Sequence, residues 1–274
     1  MASISLILSF YNQTGPFELL LASLEQQSFK DFEVVIADDG SSKESVERLN
    51  SLIDRSKLKF KYIRQEDKGH RKSRILNKAI LESEAEYLMI IDPDCILHPR
   101  CMEEHFRYRE KKVVIAGRRV DLSPELSTRI SPELIHNGWV WGKFVKTILL
   151  DGLRNRTKHA ENAIYIRNRL VRSRLNRKEK GILGSHFSLY RKDIMDVNGF
   201  DERFTSYAGE DTDLDNRLRR NGVKIKSLKH IAIQYHIYHP ISTANQSIME
   251  VVESNNSEGI TFTPYGIAKN EGQE

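Results

Sequence analysis

Tyr87-Leu88-Met89-Ile90-Ile91-Asp92-Pro93-Asp94 is an apolar run that ends abruptly on two carboxylates. Apolar residues in unbroken succession fit a strand covered on both faces, and a proline directly after it stops the ladder. Similar runs occupy residues 3–9, 32–37, 58–63 and 112–116. Between them, helical patterns begin at Pro16 (to residue 27), at Ser41 and Glu44 in capping-box spacing, and over 73–83 and 99–109. This alternation predicts an α/β fold, a mostly parallel sheet flanked by helices, whose ligands bind beyond the carboxyl ends of the strands.

The rhythm breaks over residues 118–180, which hold Trp139, Trp141 and a basic stretch read as helical. Ile164, Leu170, Val171 and Leu175 are its expected apolar contacts. Alternation returns with a strand at 186–190, a helix at 192–197, a helix at 211–221 stopped by Gly222, and strands at 223–227 and 231–236. The expected organisation is one domain over 1–240, with halves 1–117 and 181–240 around a basic helical insertion at 118–180. Residues 241–274 are expected to add a helix and a polar tail, the last twenty residues forming the tail or a lid.

With 274 residues, 39% hydrophobic and 30% charged, the chain suits a soluble domain with a sizeable core. Cys95 and Cys101 are too few for a disulfide framework and fit no common zinc spacing, which favours a reducing compartment. The first ten residues lack a basic n-region, and their apolar run is too short to span a membrane. The net charge of +5 is localised: residues 154–180 carry ten Lys/Arg against Glu161 and Glu179. Such a stretch suits an anionic partner.

Four polar clusters fall at strand ends or helix starts. Ala37-Asp38-Asp39-Gly40-Ser41 either caps the next helix as an Asx turn or offers a carboxylate to a nucleobase N–H, Gly40 permitting the turn. Asp92-Pro93-Asp94 is either a solvated turn or a pair of carboxylates relieved by a divalent cation that bridges to a diphosphate. Gly209-Glu210-Asp211-Thr212-Asp213 opens a helix, where the dipole favours carboxylates by ~0.3–1 kcal/mol and where a general base would also sit well. Tyr207, just before it, is placed to stack on a sugar ring. His236-Ile237-Tyr238-His239-Pro240 closes a strand with two imidazoles, ligands better suited to Mn²⁺ than to Mg²⁺.

In this order the clusters resemble the GT-A glycosyltransferases of family 2 with a galactosyltransferase-like C-terminal half, as in bacterial chondroitin-polymerase modules and the β-1,4-galactosyltransferases. The resemblance covers residues 3–117 and 181–239. It implies that Ser9 and Tyr11 of Ser9-Phe10-Tyr11-Asn12 belong to the nucleotide motif, that Asp39 reads uracil, and that Arg71 of Gln65-Glu66-Asp67-Lys68-Gly69-His70-Arg71 approaches base and phosphates. Asn77 also matches, with Leu76 where an arginine is frequent. By the same resemblance Asp92 contacts the donor, and Asp94, His239 and His236 hold the metal. Asp211 is the base, Glu210 binds the acceptor or donor sugar, and Tyr207 is the aromatic platform. Residues 118–180 match nothing in the family and are where acceptor choice is expected.

The implied reaction is inverting transfer from a UDP-sugar, UDP-galactose or UDP-N-acetylgalactosamine, to a glycan or lipid-linked glycan of a bacterial surface polysaccharide. Mn²⁺ or Mg²⁺ is the implied cofactor. Lipid-linked acceptors and the 154–180 charge together suggest an anionic membrane surface, hence a cytoplasmic protein, peripheral on the inner face of the cytoplasmic membrane. No nucleic-acid partner is expected. The competing readings are a nucleotidyltransferase, which would normally carry a Gly- and Arg-rich loop where Tyr11-Asn12-Gln13-Thr14-Gly15 stands, and a non-enzymatic polyanion- or sugar-binding protein.

Overall fold

The computed structural model describes residues 1–175, 181–240 and 246–269. Its strands are β1 (Ile4–Phe10), β2 (Phe32–Asp38), β3 (Lys59–Arg64), β4 (Tyr87–Ile91), β5 (Cys95–Leu97), β6 (Val113–Ala116), β7 (Arg118–Asp121), β8 (His186–Tyr190), β9 (Lys224–Ser227) and β10 (Ile233–His236). The larger sheet has the order β3-β2-β1-β4-β8-β6-β9 and is parallel except for β8, which runs against both neighbours. The expected α/β class is therefore the observed one.

Side chains alternate across a strand. Ile4, Leu6, Leu8 and Phe10 of β1 enter one core with Met89 and Ile91, while Ile7 enters the other with Leu88 and Ile90. Helices Thr14–Glu25 and Cys101–Arg107 cover the first face through Phe17, Leu20 and Met102; Lys72–Glu82 and Glu210–Arg220 cover the second through Ile75, Leu76, Leu214 and Leu218. Each fully buried Leu or Ile contributes about 1.5–3 kcal/mol, which is why β4, ending just before Asp92, is apolar throughout.

A second sheet, β5-β10-β7, stands beside the first. Its register sets His236 opposite Cys95 on one side and Asp121 on the other. Ile96, Val120 and Tyr235 lead into a third core with Phe144 and Ile148, where Trp141 stacks on Tyr235 at 4.8 Å. Residues 118–175 thus supply a strand and a core of their own, besides short helices.

Several expectations are corrected. Helix Lys43–Arg55 is capped by Ser42, which accepts the Ser45 N–H, and not by the Ser41/Glu44 pair, because Asp38 Oδ1 already takes the Ser41 N–H and hydroxyl. Ile164, Leu170, Val171 and Leu175 do not pack inward; all four are exposed. The inward position of helix Arg169–Leu175 belongs to Arg172, whose guanidinium donates to the Ile166 and Arg167 carbonyls and to the Tyr108 hydroxyl. Arg177, Lys178 and Lys180 of the basic stretch lie outside the described residues.

The C-terminal tail or lid is also corrected. Helix Gln246–Ser257 and the segment to Lys269 fold back on residues 198–202, with Asn255 and Thr263 buried. The reason is Asp201, a buried carboxylate that needs donors and receives them from Thr263, Asn255 and Arg203. Residues 241–245 and 270–274 lie outside the described residues. Cys95 and Cys101 are buried free thiols. No helix among the described residues is long and apolar enough to cross a membrane.

Candidate functional site

Parallel register brings the carboxyl ends of β1, β2 and β4 together: Ser9 faces Ala37, and Leu8 faces Ile91. The Ser9 hydroxyl donates to Asp92 Oδ1 at 2.9 Å. At the end of β2 the two aspartates divide. Asp38 makes the local turn, accepting from Ser41 and Tyr62. Asp39 turns to the following loop, its Oδ1 accepting from Gln65 Nε2 at 2.6 Å and its Oδ2 from the Arg71 N–H at 2.7 Å. Tyr11 stands over the same loop, donating to Asp67 Oδ2 at 3.1 Å. Gly40 has φ 95°, and a Cβ there would lie 2.5 Å from the Asp67 backbone, so this close approach requires glycine. Arg71 differs from expectation: its backbone meets Asp39, while its guanidinium donates to the Glu66 carbonyl.

The residue after Arg71 was missed. Lys72 Nζ donates to Asp92 Oδ1 at 2.8 Å and lies 3.7 Å from Glu210 Oε1. A cation in the first turn of a helix opposes the helix dipole, and that anomaly was the available signal. Burial works against the Lys72 ammonium, yet Asp92 and then Glu210 hold its pKa well above the ordinary value. Burial raises Glu210 above the usual carboxylate range, with Lys72 opposing, and Glu210 Oε2 is buried without a hydrogen-bond partner among the described residues.

Asp211 Oδ2 accepts the Gly184 N–H at 3.1 Å, and Oδ1 accepts the Thr212 N–H at 2.7 Å. Gly184 just precedes β8, and His186 pairs with Ile91, so this contact brings the start of helix Glu210–Arg220 against the Asp92 edge. Ala208 (φ 74°) and Gly209 (φ 97°) turn the chain into that helix. A Cβ on Gly209 would lie 2.8 Å from Ile248 Cγ2 of the C-terminal helix. Tyr207 is exposed and its ring lies 4.8 Å from that of His70, a neighbour not anticipated. Asn77 braces the two halves instead of lining the edge, exchanging hydrogen bonds with the Phe200 backbone.

Asp94 immediately precedes β5, so the β5–β10 register delivers His236 to it. Asp94 Oδ2 is 3.4 Å from His236 Nε2 and 3.2 Å from His239 Nε2. Behind them, His236 Nδ1 faces Asp121 Oδ1 at 3.5 Å and His239 Nδ1 lies 2.9 Å from the Pro240 carbonyl. An acceptor behind each imidazole directs Nε2 forward, the usual support for a metal-binding histidine. One carboxylate and two imidazoles within 4.8 Å of one another make a donor set that could hold a divalent metal ion. The hydrogen bond to Asp94 pushes His239 up to about 9; burial opposes ionisation of Asp94, but the two histidines hold it well below the carboxylate range. A second group, Cys101, His105 and His186, lies wholly inside the core, with the two Nε2 atoms 2.9 Å apart.

The sequence model described as glycosyl transferase family 2 matches residues 5–198, and that described as the N-terminal domain of galactosyltransferase matches residues 168–240. Chondroitin synthase of Escherichia coli is 27% identical over 247 residues, covering 85% of this chain and 34% of that protein. Hyaluronan synthase of Pasteurella multocida is 25% identical over 250 residues, covering 85% and 24%. The chain thus spans about a third or less of the length of these relatives. Among solved structures, S. aureus TarS 1-349 in complex with UDP superposes with a TM-score of 0.61 at 18% identity, covering 94% of this chain and 65% of that one. Mannosyltransferase PcManGT from Pyrobaculum calidifontis, in complex with GDP-Man and Mn²⁺, gives 0.57 at 13%, covering 93% and 61%. These two likenesses concern the fold.

Proposed function

This chain belongs to glycosyl transferase family 2, and from that premise we infer that it transfers a sugar, with inversion, from a UDP-hexose to a glycan or lipid-linked glycan acceptor. The convergence of Asp94, His236 and His239 beside the Asp92–Lys72–Glu210 cluster carries the reading. Asp94 and the two histidines would hold Mn²⁺ or Mg²⁺, which when bound supplies positive charge to a departing diphosphate. Ser9, Tyr11, Asp39 and Arg71 lie along the nucleotide end, with Asp92 nearest the ribose or sugar. The names of the relatives support a polysaccharide product, and UDP-galactose or UDP-N-acetylgalactosamine is favoured by the match over residues 168–240. The basic stretch 154–180 would meet an anionic membrane surface, making the enzyme peripheral on the cytoplasmic side.

In the reaction, the acceptor oxygen forms its bond to the anomeric carbon as the bond from that carbon to the diphosphate breaks. The hydroxyl proton passes to Asp211, whose carboxylate is oriented by the Gly184 and Thr212 N–H groups. Glu210 offers its unpartnered Oε2 to a sugar hydroxyl, and Tyr207 with His70 gives the ring a face to rest on. Asp211→Asn should bind UDP-sugar as wild type does and lose turnover by about 10²–10⁴-fold. Turnover near wild type with a UDP-sugar panel in Mn²⁺ would remove Asp211 as the base.

A further inference from the structure

Helix Cys101–Arg107 starts beside His186, which pairs with Ile91 at the carboxyl end of β4, and its His105 reaches Ser188, which pairs with Met89. It therefore runs away from the Asp92 edge, and Arg107 and Tyr108 lie toward the opposite end of the sheet. There a cavity of about 500 Å³ is lined by Arg100, Arg107, Arg167, Arg169 and Arg172 against a single carboxylate, Glu104, with Tyr108 and Tyr165 between them. Arg172 is fixed by the Tyr108 hydroxyl at 2.7 Å. Glu104 Oε1 accepts the Tyr165 hydroxyl at 2.5 Å, while its Oε2 is buried without a hydrogen-bond partner among the described residues. None of these residues takes part in the chemistry proposed above.

A second observation adjoins the first. Helix Arg169–Leu175 turns Arg169 and Arg172 to the cavity. At about 100° per residue Leu175 lies roughly 60° from Arg172, Val171 roughly 100° from Arg172 and Leu170 roughly 100° from Arg169, so that all three flank the two arginines while Arg174 falls opposite. Leu170 is 75% exposed, Leu175 50% and Val171 43%. A sulfated or phosphorylated glycan would use the arginines and gain nothing from the leucines. A bilayer uses both, because headgroup phosphates meet guanidinium groups while apolar side chains enter the acyl boundary.

We propose that this cavity binds the headgroup of an anionic phospholipid, with Leu170, Val171 and Leu175 inserted beside it. A headgroup that carries a hydroxyl next to its phosphodiester, as phosphatidylglycerol does, answers both the arginines and the Glu104 Oε2 left without a donor among the described residues. The proposal deepens the membrane reading above and rests on it, but adds a site, a ligand class and a mode of insertion.

The test is flotation of the full chain on mixed phosphatidylglycerol–phosphatidylcholine vesicles, on phosphatidylcholine alone, and with soluble glycerol phosphate as competitor. Wild type should float with the mixed vesicles and not with phosphatidylcholine. Arg167→Gln with Arg169→Gln should weaken binding by about 30-fold, and Leu170→Gln with Leu175→Gln by at least about tenfold. Both double variants should keep UDP-sugar hydrolysis, which also reports that they fold. If wild type does not float, the membrane reading and the proposal fail together. If wild type floats and both variants float equally well, the membrane reading stands and this site is wrong. If the arginine variants lose glycerol phosphate or a sulfated glycan while the leucine variants bind vesicles normally, the cavity is a soluble-anion site and the lipid assignment is overturned.

Discussion

Lys72→Met removes an ammonium that lies between two carboxylates, and its effect can be worked from the geometry. At an effective dielectric constant of ~20, unit charges 2.8 and 3.7 Å apart attract by roughly 6 and 4.5 kcal/mol before desolvation. Desolvation of the ammonium offsets much of this, and removing one partner of a fully buried pair typically costs ~3–5 kcal/mol. Lys72 and Asp92 side chains are 18% and 24% exposed, which scales the expected loss to about 2–4 kcal/mol. The melting temperature should fall by roughly 5–15 °C for a chain of this size. Because the pKa of Lys72 is raised in the folded state, its contribution is fully present below the unfolded value of ~10.4 and is lost only as pH rises beyond it.

The variant therefore lacks that contribution across the whole neutral range. Glu210, already raised and now without its cation, rises further. A raised carboxylate contributes stability fully present below its unfolded pKa and lost as pH rises through the folded one, so the deficit of the variant should widen as pH rises above the ordinary carboxylate range. Thermal melts across pH and a kcat/KM profile measure both effects, and Lys72→Arg should restore much of the stability. If Lys72→Met melts with wild type and its kcat/KM keeps a constant ratio to wild type over about pH 6–9, the cluster does not work as described.

Three further outcomes are expected. Asp94→Ala or His239→Ala should abolish the Mn²⁺-dependent part of UDP binding by calorimetry while leaving the fold intact; unchanged affinity in Mn²⁺ would count against the metal role. Gly40→Ala should cost about 2–4 kcal/mol and raise the KM for donor, since the new methyl meets the Asp67 backbone; a melt within about 2 °C of wild type would show that the loop yields. Burial lowers His98 to about 4 and His105 to about 3, so below the unfolded pKa of ~6.5 the unfolded chain takes up protons that the folded one refuses. Each should cost about 1.4 kcal/mol per pH unit, together roughly 4 kcal/mol by pH 5, and His98→Phe should flatten urea-denaturation midpoints over that range.

The centre of the larger sheet was legible because strands buried on both faces, as β1, β2 and β4 are, carry the strongest sequence signal a strand can have, and 87–91 was read to the residue. β5 and β7 were not, since three or four residues offer no period and Arg118-Arg119 looks like surface. The polar clusters were located because each ends a strand or opens a helix, and the family match now sets aside the nucleotidyltransferase and the non-enzymatic readings. Lys72 escaped because its partners are 20 and 138 residues away in sequence. Helix Arg169–Leu175 misled because an arginine, held by three oxygen acceptors, took the position expected of a leucine. Asn255 and Thr263 misled for the same reason in reverse: polar composition looks identical whether it faces water or a buried carboxylate.

The Gly209–Ile248 contact bears on where this module can be cut. The galactosyltransferase sequence model ends at residue 240, before the helix that backs the turn into Glu210 and Asp211. Asn255 reaches Asp213 at 2.7 Å, and the Ile267 N–H reaches the Asn198 carbonyl at 3.1 Å. The sequence signature thus closes some thirty residues before the mechanical border does. A fragment trimmed to the signature would keep every residue with a proposed chemical role and lose the wedge that aims two of them. Fusions and domain exchanges should therefore join no earlier than Lys269.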